Sequence, residues 1–292
     1  MPLPDLESLA CVDALARTLR FSTAARSRFL SPAAFSKRVQ QVEDHLGAQL
    51  FARTTRTVEI TPAGLAILPR VRRLVVEAGA LSAGGAVAPA VEITLGTRHE
   101  LGMSWLLPAR RALQRALPHV TVHLRFGGTE ELERAVLSLR VDAIVTSHAP
   151  STKRLDSFAL AREDYAFIAA PRLLARSAFR TAADASAHVL IDAHDDLPLF
   201  SYLRATGLPL RFARVLTLGT IDAIRAAALD GEGVAVLPRY FVAPDLARRR
   251  LVRLLPRAPL GHDFFRLVCR ADDAQRPLLE SIARTLSHTP LR

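Results

Sequence analysis

The sequence predicts a mixed α/β protein with three parts: a helical N-terminal domain, a long linker helix and a two-lobed α/β domain. Three observations support this order. Apolar residues recur at helical spacing before residue 82. The small-residue stretch SAGGAVAPA then spans residues 82–90. After it, strand-like apolar runs alternate with helical patterns, which is typical of parallel sheets covered by helices.

Composition favours a globular protein of the cytoplasm. The 292 residues are 50% hydrophobic and 23% charged. The N-terminus lacks the features of a secretory signal, no apolar run approaches the ~18 residues of a membrane span, and the two cysteines fit no zinc or redox spacing. The net charge of +11 indicates an anionic partner only weakly, because every cation except Lys37 and Lys153 is arginine. The stretch 14–42 is more informative, since it holds six cations and no acid.

Residues 30–47, LSPAAFSKRVQQVEDHLG, predict a helix with one polar, basic face at its N-terminal end. Ser31 fits the N-cap, Pro32 the first helical position, and Gly47 the C-terminal cap. A shorter helix precedes it over 22–29, with Ser22 as its expected cap. Two short helices at this spacing are typical of a helix-turn-helix.

The next segments predict a wing and a linker helix. LFARTTRTVEI, residues 50–60, alternates on both sides of a Thr54-Thr55-Arg56 turn and predicts a β-hairpin. From Thr61 a helical pattern runs to about residue 81, interrupted by Pro69, which should bend the helix or need local accommodation. Its apolar seam is predicted at Leu65, Leu68, Val75 and Ala78. This apolar seam must pack against another surface. Packing within the same chain and contact with the same helix of a second subunit both fit the pattern, and we prefer the dimer contact.

After residue 90 the pattern β-α-β-α-β is followed by a second set of strands and helices, and the tail can return to the first lobe. We therefore predict a DNA-binding domain at 1–60, a linker helix and hinge at 61–87, and a two-lobed α/β domain at 88–292. Lobe I takes about 88–161 and 266–292, and lobe II about 162–265.

The chain resembles the LysR-type transcriptional regulators. The resemblance rests on FSTAARSRFLSPAAFSKRVQQVEDHLGAQLFART followed by VEITPAG, and less specifically on LPHVTVHLRFGG, VDAIV and ALDGEGVAVLPRYFVAPDLARRRLVRLLP. It implies a winged helix-turn-helix, a periplasmic-binding-protein-like effector domain and a dimer of dimers. The partners it implies are double-stranded promoter DNA, a second copy of the chain and RNA polymerase. Where the family commonly has Ser-Gln-Pro-Ala, this chain has Ser31-Pro32-Ala33-Ala34, which should shift the preferred operator sequence.

A helix tip that enters the major groove must be slim and free of carboxylates. We expect the tip to contact base edges or phosphate and the wing arginines to position the DNA backbone. The predicted DNA-binding residues are Ser31, Pro32, Ala33, Ser36, Lys37, Gln40, Arg53 and Arg56.

Ligands of such α/β sheets lie outside the carboxyl ends of the strands. A helix N-terminus next to Arg98 would suit a carboxylate, so we expect a small anionic metabolite and no cofactor. Thr97 and Thr220 resemble the family's effector-facing positions. The predicted effector-binding residues are Thr97, Arg98, His99, Gly128, Thr129, Thr146, Ser147, His194, Gly219 and Thr220.

The alternative is a solute-binding or catalytic α/β domain with a helical N-terminal extension. No nucleophile elbow, Walker loop or dinucleotide fingerprint occurs in the sequence, so we do not expect an enzyme. The acidic stretch 192–196 lacks a second ligand group at recognisable spacing, and a polar loop is the expected structure. Strand alternation places His119 and His123 on one face of a strand. Solvent exposure of this face is favoured over a binding site. Cys11 and Cys269 are expected in the core.

Overall fold

A computed structural model describes residues 3–53, 57–82, 91–193 and 199–291. The chain divides into two compact units. The first consists of Met1–Gly102, Leu106–Leu160 and Arg266–Thr289, and the second of Met103–Trp105, Ala161–Phe265 and Pro290–Arg292. No helix among the described residues is both long and apolar enough to cross a membrane.

The described residues up to Ser82 form the helical N-terminal domain (residues 3–60, here called the head) and the linker helix, both predicted from the sequence. The elements are α1 (Leu6–Thr18), α2 (Phe21–Ser27), α3 (Pro32–Leu46), β1 (Phe51–Arg53), β2 (Val58–Ile60) and α4 (Pro62–Ser82). Strands β1 and β2 pair antiparallel, which confirms the hairpin; its turn at 54–56 lies outside the described residues.

Local caps explain where these helices begin and end. The Ser31 hydroxyl accepts from the amide of Ala34 at 3.2 Å, and Gly47 takes a left-handed conformation with φ 62°, as predicted. The predicted Ser22 cap is wrong. Helix α2 begins at Phe21 after Arg20, and no side chain caps it.

Helix α4 packs one face into the core of its own head. Leu68 and Val71 are buried with the apolar residues of α1 and α3, and Val75 packs against the same cluster. The helix continues through Pro69 without a break. Part of the predicted seam is therefore covered by the chain itself, whereas Leu74 and Leu81 are 50% and 83% exposed.

Beyond residue 90 the structure alternates strands and helices, as expected. The elements are β3 (Val91–Thr97), α5 (His99–Leu101), α6 (Leu107–Ala116), β4 (Val120–Phe126), α7 (Thr129–Leu137), β5 (Ala143–Thr146), β6 (Leu155–Ala169), α8 (Pro171–Arg176), β7 (Val189–Asp192), α9 (Phe200–Arg204), β8 (Arg214–Thr217), α10 (Ile221–Leu229), β9 (Val234–Pro238), α11 (Arg239–Ala247), β10 (Val252–Arg253), β11 (His262–Arg270) and α12 (Arg276–Ser287). A π-helical turn, Gly102–Leu106, joins α5 to α6, and a 3-10 helix spans Ala182–Ala187.

In the first unit β3 lies between β4 and β5 and is parallel to both. Strand β11 returns antiparallel on β5, so the tail does rejoin this sheet. In the second unit β7 is parallel to β8 and β9, while β6 is antiparallel to β9 and pairs with β10. Strands β6 and β11 each run from one unit into the other. Strand β6 begins at Leu155, within the residues predicted for lobe I.

Both cysteines lie in the core, as expected. Cys11 and Cys269 are fully buried, and neither is in a disulfide. Burial in apolar surroundings raises the pKa of the Cys269 thiol to about 12, which keeps it protonated and unreactive at neutral pH.

Candidate nucleic-acid interface and ligand-binding residues

Helix α3 presents the predicted polar face to solvent. Phe35, Val39 and Val42 point into the head core. The opposite side holds the six predicted recognition residues, of which all are exposed except Ser36, which is half-buried: Ser31, Pro32, Ala33, Ser36, Lys37 and Gln40. The first turn contains no acid. Such a slim, acid-free tip satisfies the steric and electrostatic requirements of a DNA groove.

Lys37 differs from its neighbours in having a free charge. No carboxylate within the described ranges forms an ion pair with it. By contrast, Arg38 pairs with Asp5 at 3.3 Å and Arg28 pairs with Glu7 at 3.3 Å, both in partly exposed positions. The acids at the start of α1 therefore neutralise two of the six cations counted in the sequence.

Glu43 anchors the wing to the recognition helix. Its carboxylate is buried and accepts from the amides of Leu50 and Phe51 at 2.8 and 3.1 Å, and from the Arg53 guanidinium at 2.7 Å. The same guanidinium lies 4.8 Å from the ring centre of Phe21. This role of Glu43 was not predicted from the sequence. Arg56 of the wing lies outside the described residues.

A partly buried ion cluster, here called the junction cluster, joins the head, the linker helix and lobe I. It consists of Asp13, Arg17, Arg72 and Asp142. Arg72 donates to Asp13 at 2.8 Å and to Asp142 at 3.1 Å, and Arg17 donates to the same two carboxylates at 3.0 and 3.2 Å. Each charge therefore touches two of opposite sign.

Backbone groups of lobe I form hydrogen bonds with the junction cluster. Asp142 also accepts from the amide of Thr94 at 2.8 Å, and Arg72 donates to the carbonyl of Leu139 at 3.2 Å. The Leu139 side chain packs into the head core. Sequence reasoning missed the cluster, although Asp13 and Arg17 stand four apart on one helix, a spacing that favours an ion pair.

The predicted ligand residues of lobe I come together at the carboxyl ends of three adjacent strands. In the sheet Thr97 lies opposite Phe126 of β4 and Val145 of β5. Thr97 is fully buried, and its hydroxyl donates to the carbonyl of Val145 at 3.0 Å. This internal bond occupies the one hydroxyl proton that Thr97 could offer a ligand.

The other lobe I residues surround this point. The ring of His99 lies 5.4 Å from that of Phe126, and the Nε of Arg98 is buried with no hydrogen-bond partner among the described residues. Gly128 caps α7 ahead of Thr129. Thr146 and Ser147 are buried at the end of β5.

The π-helical turn at Gly102–Leu106 was not predicted. A Cβ on Gly102 would come within 2.2 Å of the Phe126 ring, so only glycine permits this close approach. Such turns are frequent at functional sites, and this one follows the strand end that carries Thr97.

The second unit has its own strand-end group. Asp192 ends β7 opposite Thr217 of β8, and burial raises the pKa of its carboxyl despite bonds from the amides of Ala193 and Phe200. Gly219 and Thr220 are exposed, and the Thr220 hydroxyl caps α10 by accepting from Ala223 at 3.2 Å. His194 lies outside the described residues.

Two features bear on the alternatives weighed from the sequence. Among the described residues no group of three or more His, Cys, Asp or Glu side chains could hold a metal ion. The side chain of His123 is 53% exposed, as favoured, and lies 3.9 Å from Glu92.

Tyr165 and Tyr202 form a tyrosine pair that the sequence analysis did not single out. Their rings stack at 3.8 Å in the second unit, and Tyr202 donates to Asp263 at 3.1 Å. Burial raises the pKa of Tyr202 to about 12, and the hydrogen bond with Tyr165, which by itself lowers the pKa, does not offset this.

The fold and these groups define a DNA-binding head joined to a two-lobed ligand-binding domain. Family models agree. Residues 6–65 match the bacterial regulatory helix-turn-helix of the lysR family, and residues 88–289 match the LysR substrate binding domain. The chain belongs to the LysR family of transcriptional regulators. It is a DNA-binding regulator with an effector-binding domain, and the matches favour this function over the solute-binding and catalytic alternative.

Individual relatives support the same assignment. The chain is 28% identical over 274 residues to the HTH-type transcriptional regulator PgrR of Escherichia coli, covering 87% of this chain and 88% of the relative. It is 26% identical over 282 residues to the glycine cleavage system transcriptional activator of Escherichia coli, covering 94% and 90%. Full-length OxyR from Pseudomonas aeruginosa shares the fold, with a TM-score of 0.72, 18% identity, and coverage of 100% and 97%.

Proposed function

We propose that α3 reads base edges in the major groove through Lys37 and its exposed neighbours, and that Arg53 and Arg56 of the wing contact phosphates. The observation that supports this most is the free charge of Lys37 on an acid-free tip. A lysine that reaches guanine contributes about 1–3 kcal/mol of discrimination. Gln40 donates to Asp44 at 3.0 Å and must leave this partner to read a base.

The test compares the only two lysines of the chain. Lys37→Ala should weaken binding to a promoter fragment about tenfold or more, measured by fluorescence anisotropy across a salt series. Lys153→Ala, on an exposed loop of lobe I, is the matched control and should leave affinity unchanged. Equal affinities for the two variants would show that α3 is not the recognition helix.

We propose that the effector is a small anionic metabolite held at the strand ends of the effector domain. The supporting observation is the buried Nε of Arg98, which lacks an acceptor within the described chain. A carboxylate would supply that acceptor through a charge-assisted hydrogen bond. Thr129, Thr146 and Ser147 would complete the lobe I side, and Gly219, Thr220 and His194 are the lobe II candidates.

A thermal-shift screen of small organic acids against the full chain tests the effector proposal. An acid that stabilises the wild type should lose its effect in Arg98→Gln. The control is Arg125→Gln, whose guanidinium already pairs with Glu131 at 3.2 Å on the surface. The assignment of this site would be overturned if every acid that stabilises the wild type stabilised Arg98→Gln equally well.

We propose that α4 pairs with α4 of a second copy. Leu74 and Leu81 stand seven residues apart and are both exposed, so they replace the predicted seam as the proposed contact face. Leu74→Glu should shift the sedimentation coefficient to that of a monomer. Leu3→Glu, which changes an 87% exposed leucine elsewhere, should not.

The remaining assignments follow from family membership. We propose that the regulator acts in the cytoplasm as a dimer of dimers, with RNA polymerase as a further candidate partner. No catalytic role and no cofactor are proposed.

A further inference from the structure

A half-open cavity of ≈ 550 Å³ lies in the first unit, where the head, the linker helix and lobe I meet. Helices α1 and α2 of the head form one wall, α4 forms a second, and β3 and β4 form a third. Gln275, which precedes α12, also lines it. The volume falls within the range of small-molecule sites in proteins. The cavity is separate from the strand ends that carry Thr97 and Arg98.

Two polar groups of the lining have unmet hydrogen-bonding capacity. Gln275 is 5% exposed, and its Oε1 is buried with no donor among the described residues. The Nε of Arg28 is likewise buried with no acceptor in that part of the chain, although its Nη2 donates to Glu7. Buried polar atoms without partners are rare in native proteins, and each calls for a specific explanation such as a ligand.

The rest of the lining is suited to an organic molecule. Val75 and Val76 of α4 and Val91 of β3 offer apolar surface. Asp13 also lines the cavity, but both of its oxygens already bind arginines of the junction cluster. Glu92 is 74% exposed, so water screens its charge.

We propose that this cavity is a second ligand site, and that its ligand is a small carboxylate with an apolar body and one hydroxyl or ammonium group. The carboxylate accepts from Arg28, and the hydroxyl or ammonium donates to Gln275. The apolar body lies against the three valines.

A ligand in this position touches the head, the linker helix and lobe I at once. It therefore favours the arrangement in which the three are docked, because a ligand stabilises whichever state it binds better. This goes beyond the proposed function, which places the effector at the strand ends.

The test uses three probes that share one skeleton: 3-phenylpropionate, phenyllactate and phenylalanine. Isothermal titration calorimetry on the full chain should show phenyllactate or phenylalanine binding about tenfold tighter than phenylpropionate, because only they can donate to Gln275. Gln275→Met should abolish this tenfold difference. Gln114→Met, an exposed position on α6, is the matched control and should preserve it.

Two further variants guard against loss of folding as an explanation. Thr121→Tyr adds bulk at an exposed position of the lining and should weaken all three probes. Arg98→Gln changes the proposed effector site and should leave binding of the probes unchanged.

The proposal is overturned if no probe binds at millimolar concentration, which would mean that water alone fills the cavity. It is also overturned if Gln275→Met and Thr121→Tyr change nothing. If Arg98→Gln alone removes binding, the probes occupy the strand-end site, and the second site is rejected while the effector proposal stands.

Discussion

The recognition face of α3 and the junction cluster use the same kinds of charged residue in opposite ways. Lys37 is exposed, and no acid within the described ranges pairs with it. Arg72 and Asp142 are 4% and 3% exposed, and each contacts two groups of opposite charge. The charge of Lys37 can therefore interact with an external anion, whereas the charges of the junction cluster are neutralised by one another inside the protein. Position and partners, and not the residue type, therefore decide which cations are available to DNA.

This contrast changes the meaning of the acid-free stretch 14–42. Arg17 belongs to the junction cluster, and Arg28 and Arg38 pair with Glu7 and Asp5. The pairing acids lie just outside the stretch or, for Asp142, far along the chain. Three of the six cations in this stretch are therefore neutralised by acids of the same chain, while Lys37 at the tip of α3 remains available to an external anion.

The largest expected effect comes from breaking the junction cluster. Asp142→Ala leaves Arg17 and Arg72 with reduced compensation in a buried site, which should lower the free energy of unfolding by about 3–5 kcal/mol. The measurement is urea denaturation of the full chain.

Asp164→Ala is the control for this change, because Asp164 pairs with Arg162 at 2.7 Å on the surface with 46% of its side chain exposed. An exposed pair of this kind contributes about 0–1 kcal/mol. If Asp142→Ala and Asp164→Ala lowered the free energy of unfolding by similar amounts, the junction cluster would contribute no more than an exposed ion pair.

The next effect concerns the anchor of the wing. Glu43→Gln removes the buried charge that holds Arg53 and two amides of the wing, and should cost about 1–3 kcal/mol of stability. Operator affinity should fall as well, since the wing loses its fixed position. In Asp44→Asn, which alters an exposed acid of the same helix, stability should stay near wild type. A stable Glu43→Gln with normal DNA affinity would argue against the anchor.

The head could be predicted from sequence because its determinants are local. Ser31, Pro32 and Gly47 fix the ends of α3 through contacts within a few residues, and the apolar spacing fixes its buried face. The Ser22 cap failed because Ser22 lies inside α2, where a hydroxyl cannot cap the first turn.

What escaped prediction depends on contacts distant in sequence. Arg72 and Asp142 are 70 residues apart, and no periodicity signals their meeting. The π-helical turn depends on Phe126 approaching Gly102, which is likewise visible only in three dimensions. The strand-end groups could be placed by the general rule for α/β sheets. That rule does not predict the hydrogen bond from the Thr97 hydroxyl to the carbonyl of Val145, because this bond depends on how the two strands pair.

A smaller effect is expected on the salt dependence of operator binding. It should differ between Lys37 and Arg53, the two described cations that are proposed to contact DNA. Lys37→Gln should reduce the salt dependence of operator binding by about one unit of log–log slope and leave stability within about 0.5 kcal/mol of wild type. Arg53→Gln should reduce the slope less, because the charge of Arg53 is already paired with Glu43, and loss of that pair should also destabilise the head. Anisotropy titrations and urea denaturation on the two variants distinguish these outcomes. Unchanged stability in Arg53→Gln would mean that its bond to Glu43 contributes nothing.

The smallest effect is a pH dependence from Asp13. Burial by itself raises the pKa of this carboxyl, but Arg72 and Arg17 outweigh burial and hold the pKa well below its usual range. A folded-state pKa below the unfolded value of about 3.9 means that the stabilisation is complete at neutral pH. It is lost as the pH falls below about 4 toward the folded-state pKa. The stability difference between wild type and Asp13→Asn, which cannot titrate, should therefore shrink between pH 7 and pH 3 in urea denaturation. A difference that stays constant over this range would show that Asp13 is not held ionised by the two arginines.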